Sequence, residues 1–117
     1  MKVITKTKNL ELTDELKRFI DVRVGGLRKF KNILIGDFQE AIVDVKRETT
    51  HHRKGDIFIV NIILQIPGQR LVAKSRGDNL KNVIVQARDE IEREIRKYKL
   101  EVIDLPRRQA RKSKGKL

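Results

Sequence analysis

Residues 56–66 constrain the fold most, because apolar side chains occupy both faces of the strand that their alternation predicts. Five apolar residues occupy one face: Phe58, Val60, Ile62, Leu64 and Ile66. Ile57, Ile59 and Ile63 lie on the opposite face, so neither side has the polar pattern of a plain solvent face. Such a strand is typical of the middle of a sheet. We therefore predict that 56–66 is a central strand.

Three further strands are predicted around it. Residues 2–8 are rich in β-branched residues, and 38–48 alternate apolar with charged positions. Pro67-Gly68 signals a tight turn, which makes 69–76 the hairpin partner of 56–66.

Two amphipathic helices complete the pattern. Thr13 is a favourable N-cap followed by acidic residues, and apolar residues then recur at helical spacing, which predicts a helix over 13–31. Gly25-Gly26 is its weak point, at a cost of about 1 kcal/mol per glycine relative to alanine. Gly77-Asp78 ends the last strand and caps a second helix, whose apolar stripe continues to about residue 100.

The order strand, helix, strand, strand, strand, helix predicts an α+β fold. It is a two-layer sandwich, in which a four-stranded sheet carries both helices on one face. We expect this β-α-β-β-β-α domain to span residues 1–100. The apolar rhythm fades after that, and 107–117 contain six Lys or Arg and no acid. We expect residues 101–117 to be a basic, disordered tail.

A large surplus of positive charge indicates a polyanionic partner. The 117 residues include 28 Lys and Arg against 16 Asp and Glu, a formal net charge of +12. Both parts of the chain are basic, because residues 1–100 carry a net charge of +8 and the tail adds +4. Self-repulsion of this size weakens the compact state, and a nucleic acid would remove that cost.

The composition excludes several classes of protein. Without Cys the chain has no disulfide framework, thiolate metal site or cysteine nucleophile. The longest nearly apolar run, Ile57 to Leu64, is far shorter than the about 20 residues that span a bilayer. The first residues also lack the apolar core of a secretion signal. We therefore expect a soluble cytoplasmic protein that uses no cofactor and no metal.

Four stretches together resemble the ribosome hibernation promoting factor and protein Y family of bacterial ribosome-associated inhibitors. They are Leu12 to Lys17, Arg23 to Phe30, Thr50 to Asp56, and the last helix with Gly77 to Leu80 and Ile91 to Lys99. The resemblance covers about residues 1–100. It implies a domain similar in layout to double-stranded-RNA-binding domains, in a short form without the dimerising domain of longer members.

The resemblance also implies a function. Family members bind the small ribosomal subunit at its decoding region and block messenger and transfer RNA during starvation or stationary phase. The implied partners are the small ribosomal subunit and its ribosomal RNA, with no enzymatic activity, no membrane and no small-molecule substrate. A monomer is expected off the ribosome. Many relatives carry a basic residue at the positions of Gly26 and Glu90, and that charge is missing here.

The predicted RNA-binding residues are basic side chains and one pair of histidines. They are Arg23, Lys29, His51, His52, Arg53, Lys54, Arg88, Arg93, Arg96, Lys97, Lys99, Arg107, Arg108, Arg111 and Lys112. Plainer interpretations stay open for several of them. Arg23 could pack its stem on the core with its head in water, and the tail cations could serve solubility alone.

The helix cations have a plainer interpretation as well. Arg93 follows Asp89 by four residues and Arg96 follows Glu92 by four, which is the spacing of ordinary solvated ion pairs. The segment 96–99 contains no acid, so we expect its cations to be more available to RNA than Arg93.

His51 and His52 are the only histidines, and they are adjacent in a predicted loop. A metal site needs about four ligands, and the chain offers no Cys or third His for one. Contact with RNA by hydrogen bonding or stacking is the preferred role, with a plain exposed turn as the alternative. A nuclease that uses His51 or His52 is the rival from another functional class.

Two other rivals are a general double-stranded-RNA-binding protein and a basic protein that adsorbs to anionic membranes. The membrane rival is disfavoured because the core needs both apolar helix stripes. A protein that stacks single-stranded bases on its sheet is disfavoured too, because the few aromatic residues are at core-type positions.

Overall fold

The computed structural model describes residues 2–30, 40–49, 55–66 and 68–115, with residues 112–115 described by their backbone alone. The strands are β1 (Lys2–Lys8), β2 (Glu40–Thr49), β3 (Asp56–Ile66) and β4 (Gln69–Gly77). The helices are α1 (Asp14–Gly25), α2 (Leu80–Tyr98) and α3 (Leu105–Gly115). A 3-10 turn (Gly26–Phe30) follows α1, and a π-helical turn (Lys99–Asp104) joins α2 to α3.

The four strands form one sheet in the order β1-β2-β3-β4. β1 pairs with β2 in parallel, and the two later pairings are antiparallel. β3 therefore lies between two neighbours, which confirms the prediction that 56–66 is a central strand. The parallel pair requires a crossover, which α1 and the chain after it provide.

The helices α1 and α2 pack on the same face of the sheet. The inner faces of β2 and β3 bury alternate residues, including Val43, Val45, Ile62 and Leu64. Against them lie the apolar stripes of the helices, with these residues fully buried: Ile20, Val24, Ile84, Ala87, Ile91 and Ile95. The predicted two-layer α+β sandwich is confirmed, and its single core fixes the position of the two helices relative to each other.

Local signals in the sequence fix where the helices begin. The Thr13 hydroxyl accepts a hydrogen bond from the backbone N–H of Leu16 at 3.1 Å, so Thr13 is the predicted N-cap of α1. At α2 the cap is Asn79, whose side chain accepts from the N–H of Asn82 at 3.1 Å. The sequence assigned that capping role to Gly77-Asp78, one residue too early.

The first helical segment is not the single helix predicted over 13–31. α1 ends at Gly25, and Gly26–Phe30 form a 3-10 turn. Two adjacent glycines weaken the α-helix at this point. In a 3-10 turn, residues three apart lie on the same side, and this brings both Leu27 and Phe30 into the core.

The chain stays helical beyond residue 100, where the sequence predicted disorder. Ile103 in the π-helical turn is buried and anchors this turn to the domain. α3 continues directly from this turn at Leu105, whose backbone N–H donates to the Leu100 carbonyl, and Pro106 is its second residue. In the part of the chain that the structure describes, no helix is long and apolar enough to cross a membrane.

Candidate nucleic-acid interface

A groove of about 680 Å³ lies between α1 and α2 on the surface away from the sheet. Its floor is mainly apolar, formed by Phe19, Val22 and Val85. Charged side chains form its rim: Glu15, Arg18, Arg23, Lys81, Arg88 and Asp89. The rim carries four cations and two acids, so this groove presents a positive edge above an apolar floor.

Helical spacing explains why these side chains converge. On α2, positions 81, 85 and 88 lie on one stripe because they are four and three residues apart. This stripe lies beside the core stripe of the helix and faces α1. On α1, Phe19, Val22 and Arg23 form the corresponding stripe, and Val22 is 69% exposed.

Phe19 holds two of the rim cations in place. The Arg23 guanidinium lies 5.3 Å from the centroid of the Phe19 ring, and Lys81 Nζ lies 5.5 Å from the same centroid. Cation–π attraction at these distances restrains long side chains that otherwise move freely. Arg23 is exposed and forms no ion pair with any residue that the structure describes. Its head group therefore stays available to an anion at the groove.

Phe30 repeats this arrangement at the other end of the helix pair. Lys29 Nζ lies 5.1 Å and the Arg96 guanidinium 5.3 Å from the centroid of its ring. In both cases one cation comes from the α1 segment and one from α2. Two aromatic–cation units therefore follow one another along the junction of the two helices.

Glu92 is the acidic centre of the second unit. Its carboxylate accepts a hydrogen bond from Arg88 at 2.8 Å and lies 3.2 Å from Lys29 Nζ and 3.6 Å from an Arg96 nitrogen. Partial burial alone would raise the pKa of Glu92, but the hydrogen bond from Lys29 and the charge of Arg88 together lower it. The site thus brings together three predicted residues around one ionised carboxylate. Asp89 also lies 3.4 Å from Arg88, so three cations and two acids leave a surplus of one positive charge.

The remaining predicted residues on α2 are arranged differently. Arg93 pairs with Glu90, three residues before it, at 2.8 Å, and not with Asp89. Lys99 pairs with Asp104 at 3.8 Å, and Arg96 with Glu92, so acids outside the segment 96–99 reach two of its cations. Within the described residues, Lys97 alone of this cluster is exposed without an ion pair.

Of the predicted residues, Arg23 and Arg88 line the groove, and Lys29 and the other predicted cations of α2 lie outside its lining. Arg107, Arg108 and Arg111 are exposed on α3, and Lys112 lies on the same helix, where only its backbone is described. His51, His52, Arg53 and Lys54 lie outside the described residues.

Sequence reasoning missed two rim cations, Arg18 and Lys81. The signal for Lys81 was available, since it precedes Val85 by four residues and Arg88 by seven on one helical stripe. Its contact with Glu15, 66 residues earlier in the chain, could not be predicted from helical spacing. Only the fold brings that residue within reach of Lys81.

Residues 3–102 match the model of the family described as Sigma 54 modulation protein / S30EA ribosomal protein. The chain belongs to this family. Members of the S30EA family are ribosome-associated, so the family predicted from the four sequence stretches is confirmed.

Solved structures agree with the S30EA fold. A ribosomal subunit interface protein from Coxiella burnetii is 12% identical, with a TM-score of 0.69 over 86% of this chain and 100% of its own. The Protein Y N-terminal domain of Thermus thermophilus is 17% identical, with a TM-score of 0.63 over 84% of this chain and 99% of its own. At these identities the likeness concerns the fold. A comparison with curated protein sequences finds no significant match.

Proposed function

We propose that this protein binds the small ribosomal subunit at its decoding region and prevents messenger and transfer RNA from binding there. It acts in the cytoplasm by occlusion, without catalysis or a cofactor, when starvation or stationary phase silences translation. Family membership supports a ribosomal partner. The name of the Coxiella burnetii relative, a ribosomal subunit interface protein, supports a position between the subunits.

The observation that carries the proposal is the pair of aromatic–cation units along the junction of α1 and α2, of which the Phe19 unit lines the groove. Phe19 and Phe30 restrain four cations along the junction of α1 and α2. The packed core beneath the helices fixes the positions of the two rings. Restrained cations lose less freedom on binding phosphates than free side chains do. A folded RNA presents phosphates at fixed separations, so a rigid cationic surface suits it better than an unfolded strand.

The two-layer domain also suits a mechanism of occlusion. Its capped helices and continuous core make a rigid body that fills space, and no binding step requires this body to change shape. Phosphate contacts fix position without reading sequence, so the site is selected by the shape of the cleft together with the cations.

Cosedimentation with purified small subunits at physiological salt tests the proposal. We expect the protein in the subunit fraction, displaced when messenger RNA and transfer RNA are added together. The variant Arg18→Gln/Arg23→Gln should bind at least tenfold more weakly, because about two phosphate contacts are lost. Lys17→Glu, an exposed α1 position that does not line the groove, changes net charge by the same amount and is the matched control.

Three results would contradict the proposal. The protein could fail to sediment with the subunits, or the groove variant could bind as the control does. Equal affinity for any RNA duplex, without competition by messenger and transfer RNA, would instead support the general double-stranded-RNA binder.

A further inference from the structure

The face of the sheet opposite the helices, which we call the open face, carries its residues in rows across the strands. The register places Ile4, Ile42, Ile63 and Val72 in one apolar row that crosses all four strands. The next row contains Lys6, Asp44, Asn61 and Lys74, and the row after it contains Lys8, Lys46, Ile59 and Arg76. These two rows therefore place five cations on one side of the apolar row.

The open face is strongly basic as a whole. Its basic residues are Lys2, Lys6, Lys8, Lys46, Arg70, Lys74 and Arg76, and its acids are Glu40, Asp44 and Glu48. Among the residues that the structure describes, the ion pair on this face joins Lys46 to Glu48 at 3.1 Å. Most of these cations therefore have no internal counterion.

One pairing is unfavourable in the isolated protein. Lys8 on β1 lies directly opposite Lys46 on β2. Like charges at directly opposed positions of adjacent strands are destabilising. A sheet face that only needed solubility would gain stability from an acid at either position. Glu48 offsets part of this repulsion through its ion pair with Lys46, and an anion bound beside Lys8 would remove the rest.

A shallow cavity of about 380 Å³ lies at this place. Four lysines surround it: Lys6, Lys8, Lys46 and Lys74. Asn61 and Ile59 also line it, and Asp44 and Glu48 are the two acids beside it. Lysine binds phosphate as a point charge and needs no fixed fork geometry, which suits a ring of flexible amines on a strand surface.

We propose that the open face is a second RNA-binding surface, which takes a phosphodiester backbone through the lysines around this cavity. Aromatic side chains are missing from the described part of this face, so bases are not stacked there and sequence is not read. A second copy of the chain does not fit, because two faces with this surplus of cations repel each other.

The two RNA-binding surfaces lie on opposite sides of the domain. The groove is formed by the helices, and the open face is formed by the strand side chains that point away from them. One molecule therefore holds two RNA segments at once. This inference deepens the proposed function, on which it rests for the identity of the RNA: the domain grips both walls of a ribosomal cleft.

A capture assay with plain RNA duplex tests the inference apart from the ribosome. Immobilised duplex binds the protein, and a labelled second duplex is then added. We expect the wild-type protein to capture the second duplex. Lys8→Gln/Lys74→Gln should bind the first duplex through the groove but capture the second at least tenfold less well. The slope of log K against log salt concentration should become shallower by about two for this variant.

Matched variants interpret the result. Lys17→Glu has the same change of net charge and should capture the second duplex as the wild type does. Arg18→Gln/Arg23→Gln should also lose capture while keeping the open face. All substituted positions are exposed, and thermal unfolding followed by circular dichroism checks that each variant folds.

Two outcomes overturn the inference. In one, Lys8→Gln/Lys74→Gln captures the second duplex and keeps the salt slope of the wild type. In the other, its RNA binding is unchanged but its retention on polyglutamate is lost, which would assign the face to an acidic protein. Failure to bind small subunits would contradict the proposed function but would leave the duplex result unaffected.

Discussion

Lys29 and Glu92 form an ion pair of 3.2 Å between the 3-10 turn after α1 and the middle of α2. The same carboxylate also holds Arg88 and Arg96, so one acid offsets part of the charge of three predicted RNA-binding residues. An RNA phosphate that approaches these cations has to compete with Glu92. We therefore expect this acid to stabilise the free protein and to limit its affinity for RNA.

Glu92→Gln should therefore tighten RNA binding. The amide keeps the shape of the side chain and removes its charge, so the local surplus rises by one. We expect about fivefold tighter binding to small subunits and a salt slope steeper by about one. Glu94→Gln, a half-buried position on the same helix, is the control. Unchanged or weaker binding would show that Glu92 positions the cations and does not compete with phosphate.

The pKa of Glu92 predicts how this site affects stability at different pH values. Its pKa is below 4.5 in the folded protein, so its ion pairs stabilise the fold above 4.5 and this contribution is lost as pH falls through the folded pKa. Urea unfolding should show wild type more stable than Glu92→Gln by about 1 kcal/mol at neutral pH. The difference should shrink as pH falls below 4.5 and disappear once Glu92 is protonated in the folded protein. A difference that persists at low pH would refute the ionic origin.

Gly77→Ala tests the packing of β4 against α2. A Cβ at Gly77 would lie 2.9 Å from Val83 Cγ2, and Val83 is buried in the core. We expect a loss of about 1–3 kcal/mol in the free energy of unfolding. Gly25→Ala is the matched control, because nothing lies within 4 Å of its Cβ and the position is helical. It should gain about 0.5–1 kcal/mol, and equal effects of the two changes would contradict the packing described here.

Gly26 lines the groove and carries no side chain. A Cβ there meets nothing within 4 Å, and the backbone is already in the right-handed helical region, so a lysine fits without strain. Gly26→Lys should bind small subunits about fivefold more tightly, with a salt slope steeper by about one. Gly26→Gln has similar reach without the charge and should leave binding unchanged. Equal binding by both variants would place Gly26 outside the interface.

The sequence predicted the sheet well because each strand has a signal of its own: β-branched residues in 2–8, alternation in 38–48, apolar residues on both faces of 56–66, and a Pro-Gly turn before 69–76. It was less accurate where tertiary packing decides the local structure. Two glycines weaken α1 just before the 3-10 turn that places Leu27 and Phe30 in the core, and the helical turn after α2 buries Ile103. The helical spacing of apolar residues in the sequence predicts neither the 3-10 turn nor the burial of Ile103.

Only the contacts of the candidate site that lie within one helix could be predicted from the sequence. The pairing of Glu92 with Arg96 follows from their spacing on one helix. Its pairing with Lys29, and the approach of Lys81 to Phe19, join distant parts of the chain and depend on how the two helices pack. The basic rows of the open face likewise need the strand register, which the sequence pattern does not supply.

Directed cleavage of ribosomal RNA from the groove tests whether the protein binds at the decoding region. The chain has no cysteine, so Val22→Cys, at an exposed position on the groove floor, carries a single iron chelate that generates hydroxyl radicals. When this protein is bound to small subunits, we expect cleavage of the ribosomal RNA strands around the decoding region. Cleavage confined to other regions of the subunit, or none above background, would contradict it.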